Sequence, residues 1–264
     1  MISFLKDTLQ VQVYPARTAM GEAAAAQAAA VMTRLLAEQP MVNIIFAAAP
    51  SQQEFLEALV LQPGIDWSRV NAFHMDEYAG LPADAPQGFG NFLRERIFSK
   101  VPFRDVFYLD GQASDKDAEC LRYTALLEQY LTDIVYMGIG ENAHIAFNDP
   151  HVADFNDPAL VKIVDLDQAC RQQQVNDGCF TVLNEVPQWA LTLTVTALMR
   201  GRYIFCMVPG EKKATAVRHT LEDAIQEKYP SSILRTHPSA ILYLDNDSAQ
   251  QIDLSSFHIK PSIQ

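Results

Sequence analysis

The chain has 264 residues, of which 49% are hydrophobic and 20% are charged, as is ordinary for one large folded domain. Its formal net charge of −12 argues against binding to nucleic acid or to an anionic membrane, because both need a basic surface. The four cysteines form no C-x-x-C pair, so the sequence has no common zinc or redox motif. A signal-peptide pattern and a membrane-spanning apolar run are both absent from the sequence, and we expect a cytoplasmic protein.

Short apolar runs alternate with helical patterns along the chain. Apolar residues recur at helical spacing over residues 16–38, before Pro40, and Ser51 with Glu54 predicts a capping box at the next helix. Further helices are predicted at 89–98, 116–132 and 211–226. Buried strands are predicted at 42–46, 70–75, 134–139, 191–195, 203–208 and 241–244. This alternation predicts a single doubly wound α/β domain over residues 1–264, with a mostly parallel sheet.

In such sheets, ligands bind beyond the carboxyl ends of the strands. Polar groups follow four of the predicted strands, in the segments 47–51, 74–78, 140–150 and 209–213. Taken singly, each has a structural explanation: Asp76 and Glu77 fit a solvated loop or a helix cap, and His144 fits a core histidine. Because the four segments are expected at one sheet edge, together they predict a site for an anionic ligand that undergoes proton transfer.

Two of these segments also carry a specific resemblance. They read Phe73-His74-Met75-Asp76-Glu77-Tyr78 and Gly138-Ile139-Gly140, the latter continuing through His144-Ile145-Ala146-Phe147-Asn148-Asp149-Pro150. Both resemble the glucosamine-6-phosphate deaminase (isomerase) family, whose superfamily also includes 6-phosphogluconolactonase. The resemblance extends in order over roughly the whole chain. It implies a three-layer α/β/α Rossmann-like sandwich that binds no nucleotide.

The resemblance implies the conversion of glucosamine 6-phosphate, or a related amino-sugar phosphate, to fructose 6-phosphate and ammonia, without a metal or other cofactor. Asp76 stands where the family has the base that removes the C2 proton, and His144 where it has the ring-opening histidine. Asp149 stands where the family has a glutamate that orients this histidine or carries protons. The remaining predicted contacts are to the substrate, and they are assigned to Ser51, Glu77, Arg171 and Lys213, the last of which falls at the phosphate-binding lysine.

The segment before the histidine departs from the family pattern. The family reads Asn-Asp-Gly-His, whereas this chain reads Glu141-Asn142-Ala143-His144. An amide at position 142 can orient an imidazole but cannot stabilise its protonated form, and in a serine protease the equivalent change costs about 10⁴-fold in turnover. Glu141 and Asp149 are the candidates to compensate.

The predicted phosphate loop departs as well. The family has Thr/Ser-Gly-Gly-Thr/Ser-Pro, whereas Ala47, Ala48, Ala49 and Pro50 stand here. Since alanine resists the left-handed conformation by about 1–2 kcal/mol, we expect another loop shape, with Ser51 and the start of its helix holding the anion.

These observations leave three hypotheses. The first is an active amino-sugar-phosphate deaminase, and the second is a homologue that binds the sugar phosphate without turnover. The third is a hydrolase of the lactonase type, against which the segments around Asp76 and Phe147 argue. The family includes monomers, dimers and hexamers, so a homo-oligomer stays open.

Overall fold

The computed structural model of the protein describes residues 1–257 and 259–260. Within them the strands are β1 (Ile2–Lys6), β2 (Leu9–Tyr14), β3 (Val42–Phe46), β4 (Val70–His74), β5 (Asp76–Tyr78), β6 (Asp105–Phe107), β7 (Ile134–Met137), β8 (Val161–Asp165), β9 (Trp189–Leu193), β10 (Tyr203–Val208), β11 (Ala240–Asp245) and β12 (Ile259–Lys260). The α-helices are α1 (Arg17–Glu38), α2 (Gln53–Val60), α3 (Phe89–Leu93), α4 (Lys116–Gln129), α5 (Gln168–Asn176), α6 (Val195–Met199) and α7 (Ala214–Glu222).

The larger sheet has the strand order β12-β1-β2-β11-β10-β7-β3-β4-β6. All strands from β2 to β6 in this order pair in parallel, and β1 and β12 add an antiparallel edge. At the centre Phe46 pairs with Tyr136 on one side and with His74 on the other. The predicted mostly parallel sheet is therefore confirmed, and the carboxyl ends of β3, β4, β7 and β10 meet at one edge.

Helices cover both faces of this sheet. On one face, Ala24 and Ala28 of α1 and Phe55 of α2 belong to a buried cluster with Ile44 and Phe46. On the other face, Tyr123 of α4 and Leu221 of α7 pack in a second cluster that includes Ile45 and Val135. Because each buried side chain of this size contributes about 1.5–3 kcal/mol, the two clusters hold the three α/β/α layers together.

A second, three-stranded antiparallel sheet has the order β5-β9-β8. The strand predicted at 191–195 is β9, which lies in this sheet and not in the parallel one. The sheet was predicted wrongly because β9 is buried on both faces, as a central parallel strand would be. Ala190 packs in one buried cluster and Leu191 in the other. Asp76 opposes Thr192 in this small sheet, so the segment after β4 is itself a strand and not a solvated loop.

The capping box predicted at Ser51 and Glu54 is wrong. Pro50 starts a 3-10 turn over Pro50–Gln52, and α2 begins after it without a side-chain cap. Glu54 instead forms an ion pair with Arg17, with 2.5 Å between Oε1 and Nε. Ser51 therefore does not cap a helix, and it lies at the carboxyl edge of the parallel sheet.

The described residues contain no helix that is both long and apolar enough to cross a membrane.

Candidate active site

A cavity of about 430 Å³ lies at the carboxyl edge of the parallel strands. Its size is that of a small-molecule site. The segments that follow β3, β4, β7 and β10 all contribute to its wall, which includes Ser51, Asp76, Glu141, His144 and Lys213. Groups far apart in the sequence are thus brought around one space large enough for a sugar.

Asp76 begins strand β5 and is buried, with 6% of its surface exposed. Its carboxyl group makes no hydrogen bond or ion pair with another described residue, although it lies on the cavity wall. Burial, and secondly the negative charge of Glu77, raises the pKa of Asp76 well above its usual range. An unpartnered carboxyl group with a raised pKa has the properties of a general base that works near neutral pH.

His144 follows β7 in a tight loop and reaches the cavity wall. Its ring packs on the backbone of Gly140, where a Cβ atom would lie 2.2 Å from Cε1 of the ring. The same loop is closed by a hydrogen bond of 2.9 Å from the backbone N–H of Gly140 to the carbonyl of His144. Only glycine at position 140 therefore leaves room for the imidazole ring in this place.

The carboxylate of Asp149 stands behind His144. Its Oδ1 lies 3.0 Å from Nδ1 of His144 and accepts a hydrogen bond from Nδ2 of Asn142 at 2.9 Å. Burial by itself raises the pKa of Asp149, but the charge of His144 and these polar contacts outweigh it and lower the pKa to about 2. Asp149 is therefore ionised beside the imidazole and favours a proton on Nδ1.

Asn142 orients this loop from both ends of its amide group. Besides its bond to Asp149, its Oδ1 accepts a hydrogen bond from the backbone N–H of His144 at 3.1 Å. Ala143, between the two, adopts a left-handed φ of +68°, which costs an alanine about 1–2 kcal/mol. The loop thus holds the backbone shape for which the family uses glycine, and the contacts of Asn142 help to hold it.

Lys213 lies at the end of a 3-10 turn, Glu211–Lys213, that follows β10. It is buried, and its ammonium group makes no hydrogen bond or ion pair within the described part of the chain. Burial lowers the pKa of Lys213, while the nearby charges of Asp177 and Glu141 act in the opposite direction. A buried ammonium group on a cavity wall is suited to bind an anion.

The segment 47–52 also contributes to the cavity wall and takes the different shape that its alanines predict. None of its residues has a positive φ, and Ala49 is extended, with φ −159°. Gln52, also on the wall, is 1% exposed, and its Nε2 donates to Ser51 Oγ and to the carbonyl of Met207, each at 3.2 Å. Side chains, rather than a glycine-rich backbone, line this part of the cavity.

Arg17 is a cavity residue that the sequence analysis missed. It is the first residue of α1, and its guanidinium group bonds Glu54 through Nε and Nη2 and the carbonyl of Pro50 through Nη2. Helix α1 follows β2, whose carboxyl end lies at the same sheet edge. Predicting β2 from the alternation of Gln10, Val11, Gln12 and Val13 would have placed this cation at the site.

Two of the residues predicted to contact the substrate do not line this cavity. The side chain of Glu77 lies outside the cavity wall and accepts hydrogen bonds from the backbone of Phe89 and Gly90, at 3.1 and 2.8 Å. Arg171 also lies outside it and binds the carbonyls of Leu183 and Val186. Glu77 lies in a predicted segment and Arg171 in helix α5, and both side chains bind backbone groups instead of lining the cavity. Glu141 is on the wall, and its backbone N–H donates to Gln173.

Comparison with known proteins decides the family. Residues 15–242 match the family described as glucosamine-6-phosphate isomerases/6-phosphogluconolactonase. The chain belongs to this family. The predicted resemblance is therefore confirmed, and it covers the elements that carry the cavity.

Individual relatives agree with the family match. The chain is 33% identical over 208 residues to a protein of Listeria innocua named glucosamine-6-phosphate deaminase, covering 79% of this chain and 87% of that one. A deaminase of the same name from Exiguobacterium is 35% identical over 190 residues, covering 72% of this chain and 73% of that one.

Solved structures share the fold. A monomeric glucosamine-6-phosphate deaminase superposes with a TM-score of 0.83 at 27% identity, covering 92% of this chain and 99% of that one. A 6-phosphogluconolactonase from Thermotoga maritima has a TM-score of 0.72 at 20% identity, covering 90% of this chain and 98% of that one. The similarity to the lactonase shows a shared fold only.

Proposed function

We propose that this family member is a cytoplasmic enzyme that converts glucosamine 6-phosphate, or a related amino-sugar phosphate, to fructose 6-phosphate and ammonia. The observation that carries the proposal is that two reactive groups lie on the wall of the same cavity. One is the buried, unpartnered carboxyl group of Asp76, and the other is the imidazole of His144 backed by Asp149. The relatives named above as deaminases support the same activity.

The first step in this proposal is opening of the sugar ring by His144. Asp149 beside Nδ1 favours the tautomer whose Nε2 has a free lone pair. Nε2 takes the proton from the anomeric hydroxyl O1 and delivers it to the ring oxygen, so that the C1–O5 bond breaks and an open-chain aldehyde forms. Because Asp149 is ionised, it stabilises the imidazolium that exists between the two transfers.

The second step is isomerisation by Asp76. The carboxylate removes the proton from C2 while the aldehyde oxygen O1 takes up a proton from the solvent, which creates an enolamine. The same carboxyl group then returns its proton to C1, and the nitrogen becomes a protonated imine at C2. The product is a ketimine at C2. One water adds to this imine and ammonia leaves, which gives fructose 6-phosphate. Water is therefore the only co-reactant that the overall reaction consumes.

The phosphate group would be bound by other residues of the same cavity wall. Lys213 supplies a buried ammonium group, and Ser51 and Arg17 lie on the same wall. These local donors can hold a dianion even though the chain as a whole is acidic, since short-range contacts outweigh the screened field of distant charges.

The test is an ammonia assay with purified protein and glucosamine 6-phosphate, with Asp76→Asn as the matched variant. We expect ammonia and fructose 6-phosphate from the wild type and a loss of at least about 10²-fold in the variant. Calorimetry on the same samples should show that both bind the sugar phosphate. Binding by the wild type without ammonia would instead support a non-catalytic sugar-phosphate binder. Hydrolysis of 6-phosphogluconolactone above its spontaneous rate would support the lactonase alternative.

A further inference from the structure

Three metal-binding side chains meet behind the cavity. They are His144, Asp149 and Cys170, and one donor atom of each lies within 4.8 Å of the other two. Cys170 comes from the first turn of α5, where its backbone N–H donates to Asp167 at 2.6 Å. All three residues are buried, and His144 alone connects them to the cavity.

Two of the donor atoms lack a hydrogen bond of good geometry. Oδ2 of Asp149, a residue that is 0% exposed, makes none among the described residues, although the backbone of Asp167 and the thiol of Cys170 lie close enough to Asp149 to interact with it. Nδ1 of His144 is close to Oδ1 of Asp149, but it too forms no hydrogen bond of good geometry. Buried polar atoms are nearly always satisfied, so these two point to a ligand that would satisfy them.

We propose that His144, Asp149 and Cys170 form a binding site for one divalent transition-metal ion, with Zn²⁺ as the preferred ion, and that the bound ion inhibits the enzyme. Thiolate, imidazole and carboxylate are the donors that zinc takes in proteins. A thiolate and a carboxylate together balance the charge of the ion. On binding, the thiol of Cys170 loses its proton to the solvent, and a water molecule completes four-coordination.

The distances require only small movements. With zinc bonds of about 2.0 Å to nitrogen and oxygen and about 2.3 Å to sulfur, tetrahedral donors lie about 3.3–3.5 Å apart. Every separation is within 4.8 Å, so the donor atoms need to approach one another by at most about 1.5 Å. Access is through the cavity, because the ring of His144 lies on its wall.

The inhibition rests on the proposed function, whereas metal binding does not. An ion on Nδ1 replaces the proton that faces Asp149, so the imidazole can no longer pass protons through a stabilised imidazolium. Cys170 takes no part in the proposed reaction, which makes it the residue that separates metal binding from catalysis.

The test is titration of the metal-free protein with Co²⁺, followed by its absorption spectrum. We expect a thiolate-to-cobalt charge-transfer band in the near ultraviolet at one equivalent, displaced by Zn²⁺. The band should be lost in Cys170→Ser and weakened in Asp149→Asn, and kept in Cys179→Ser, because Cys179 lies outside the cluster. Circular dichroism confirms that the variants are folded. A missing band in the wild type, or a band that persists in folded Cys170→Ser, would overturn the site.

A second readout separates the site from the proposed function. Zn²⁺ should inhibit ammonia release by the wild type and by Cys179→Ser, and at least about tenfold more Zn²⁺ should be needed with Cys170→Ser. A cobalt band in a protein that releases no ammonia would keep the metal site and refute the proposed function. Equal zinc sensitivity of all three proteins would refute the inhibitory site.

Discussion

Nδ1 of His144 lies 3.0 Å from Oδ1 of Asp149, a carboxylate with no solvent exposure. The shorter acid therefore reaches the imidazole without the extra methylene of a glutamate. Asn142, where the family has an acid, donates to the same Oδ1. The amide thus has a role of its own in this chain, since it is a hydrogen-bond donor to the ionised Asp149.

This relationship predicts that restoring the family acid harms the protein. Asn142→Asp would exchange a donor for a second carboxylate 2.9 Å from Asp149. We expect a loss of about 1–3 kcal/mol in the free energy of unfolding at neutral pH and no gain in turnover. Thermal unfolding and ammonia release measure both, with the exposed Asn176→Asp as a control for added charge.

The loss should also depend on pH. The pKa of Asp149 is lowered to about 2, so its ionised form stabilises the fold above the usual aspartate range, and that contribution disappears as the pH falls towards about 2. Asn142→Asp should therefore lie nearer the wild type in stability at about pH 3 than at pH 7. A more stable or more active variant at neutral pH would contradict the role of Asn142.

The raised pKa of Asp76 predicts the opposite pH dependence at that position. Its pKa is raised by burial and by the charge of Glu77, so the folded state retains a proton that the unfolded chain has lost. The stability of the wild type should therefore fall as the pH rises from about 4 through the raised pKa. Asp76→Asn removes this penalty, and its melting temperature relative to the wild type should increase over that interval. A constant difference between the two curves would count against a raised pKa.

Gly140 is expected to be essential for the position of His144. In Gly140→Ala the new methyl group would meet the ring at 2.2–2.4 Å, and displacement of a reacting group by about 1 Å can cost 10²-fold in rate. The control is Gly64→Ala, since Gly64 also has a special backbone, with φ +81°, but has open space around it. That variant should lose about 1–2 kcal/mol of stability and keep its turnover. Wild-type turnover in Gly140→Ala would show that the observed ring position is not needed.

Arg17, rather than Arg171, is expected to contribute to phosphate binding. Arg17→Gln should raise KM for glucosamine 6-phosphate about tenfold, with a smaller effect on kcat, because a hydrogen bond to a charged group is worth about 1.5–3 kcal/mol and Glu54 already shares this cation. Arg34→Gln, on the exposed part of the same helix, is the control. Arg171→Gln should mainly lower stability, since it removes three hydrogen bonds to backbone carbonyls. A KM effect confined to Arg171→Gln would reverse this assignment.

The central parallel strands could be predicted because each is a compact apolar run between helical patterns. Strands β3, β10 and β11 lie within a residue of their predicted bounds. The small sheet was missed because β5 has three residues, Asp76–Tyr78, with two acids among them, and its pairing with β9 depends on contacts between distant segments. The hydrophobic pattern of a short sequence window cannot show which distant strand it pairs with.

The site could be predicted at the level of position but not of side-chain direction. Asp76, His144 and Lys213 were predicted from strand ends, and all three lie on one cavity wall. Glu77 stands in a predicted segment and Arg171 in helix α5, yet backbone groups bind both side chains outside that wall. Which way a polar side chain turns depends on unpaired donors and acceptors from other parts of the chain, and those are known only from the fold.

The most direct measurement of the proposed reaction uses glucosamine 6-phosphate that carries deuterium at C2. If Asp76 moves this proton, the wild type should show a primary isotope effect on kcat/KM, and part of the label should be found at C1 of fructose 6-phosphate. Asp76→Asn should bind the sugar phosphate and neither transfer the label nor exchange it with solvent. Transfer or exchange of the C2 label by Asp76→Asn at the wild-type rate would contradict the account.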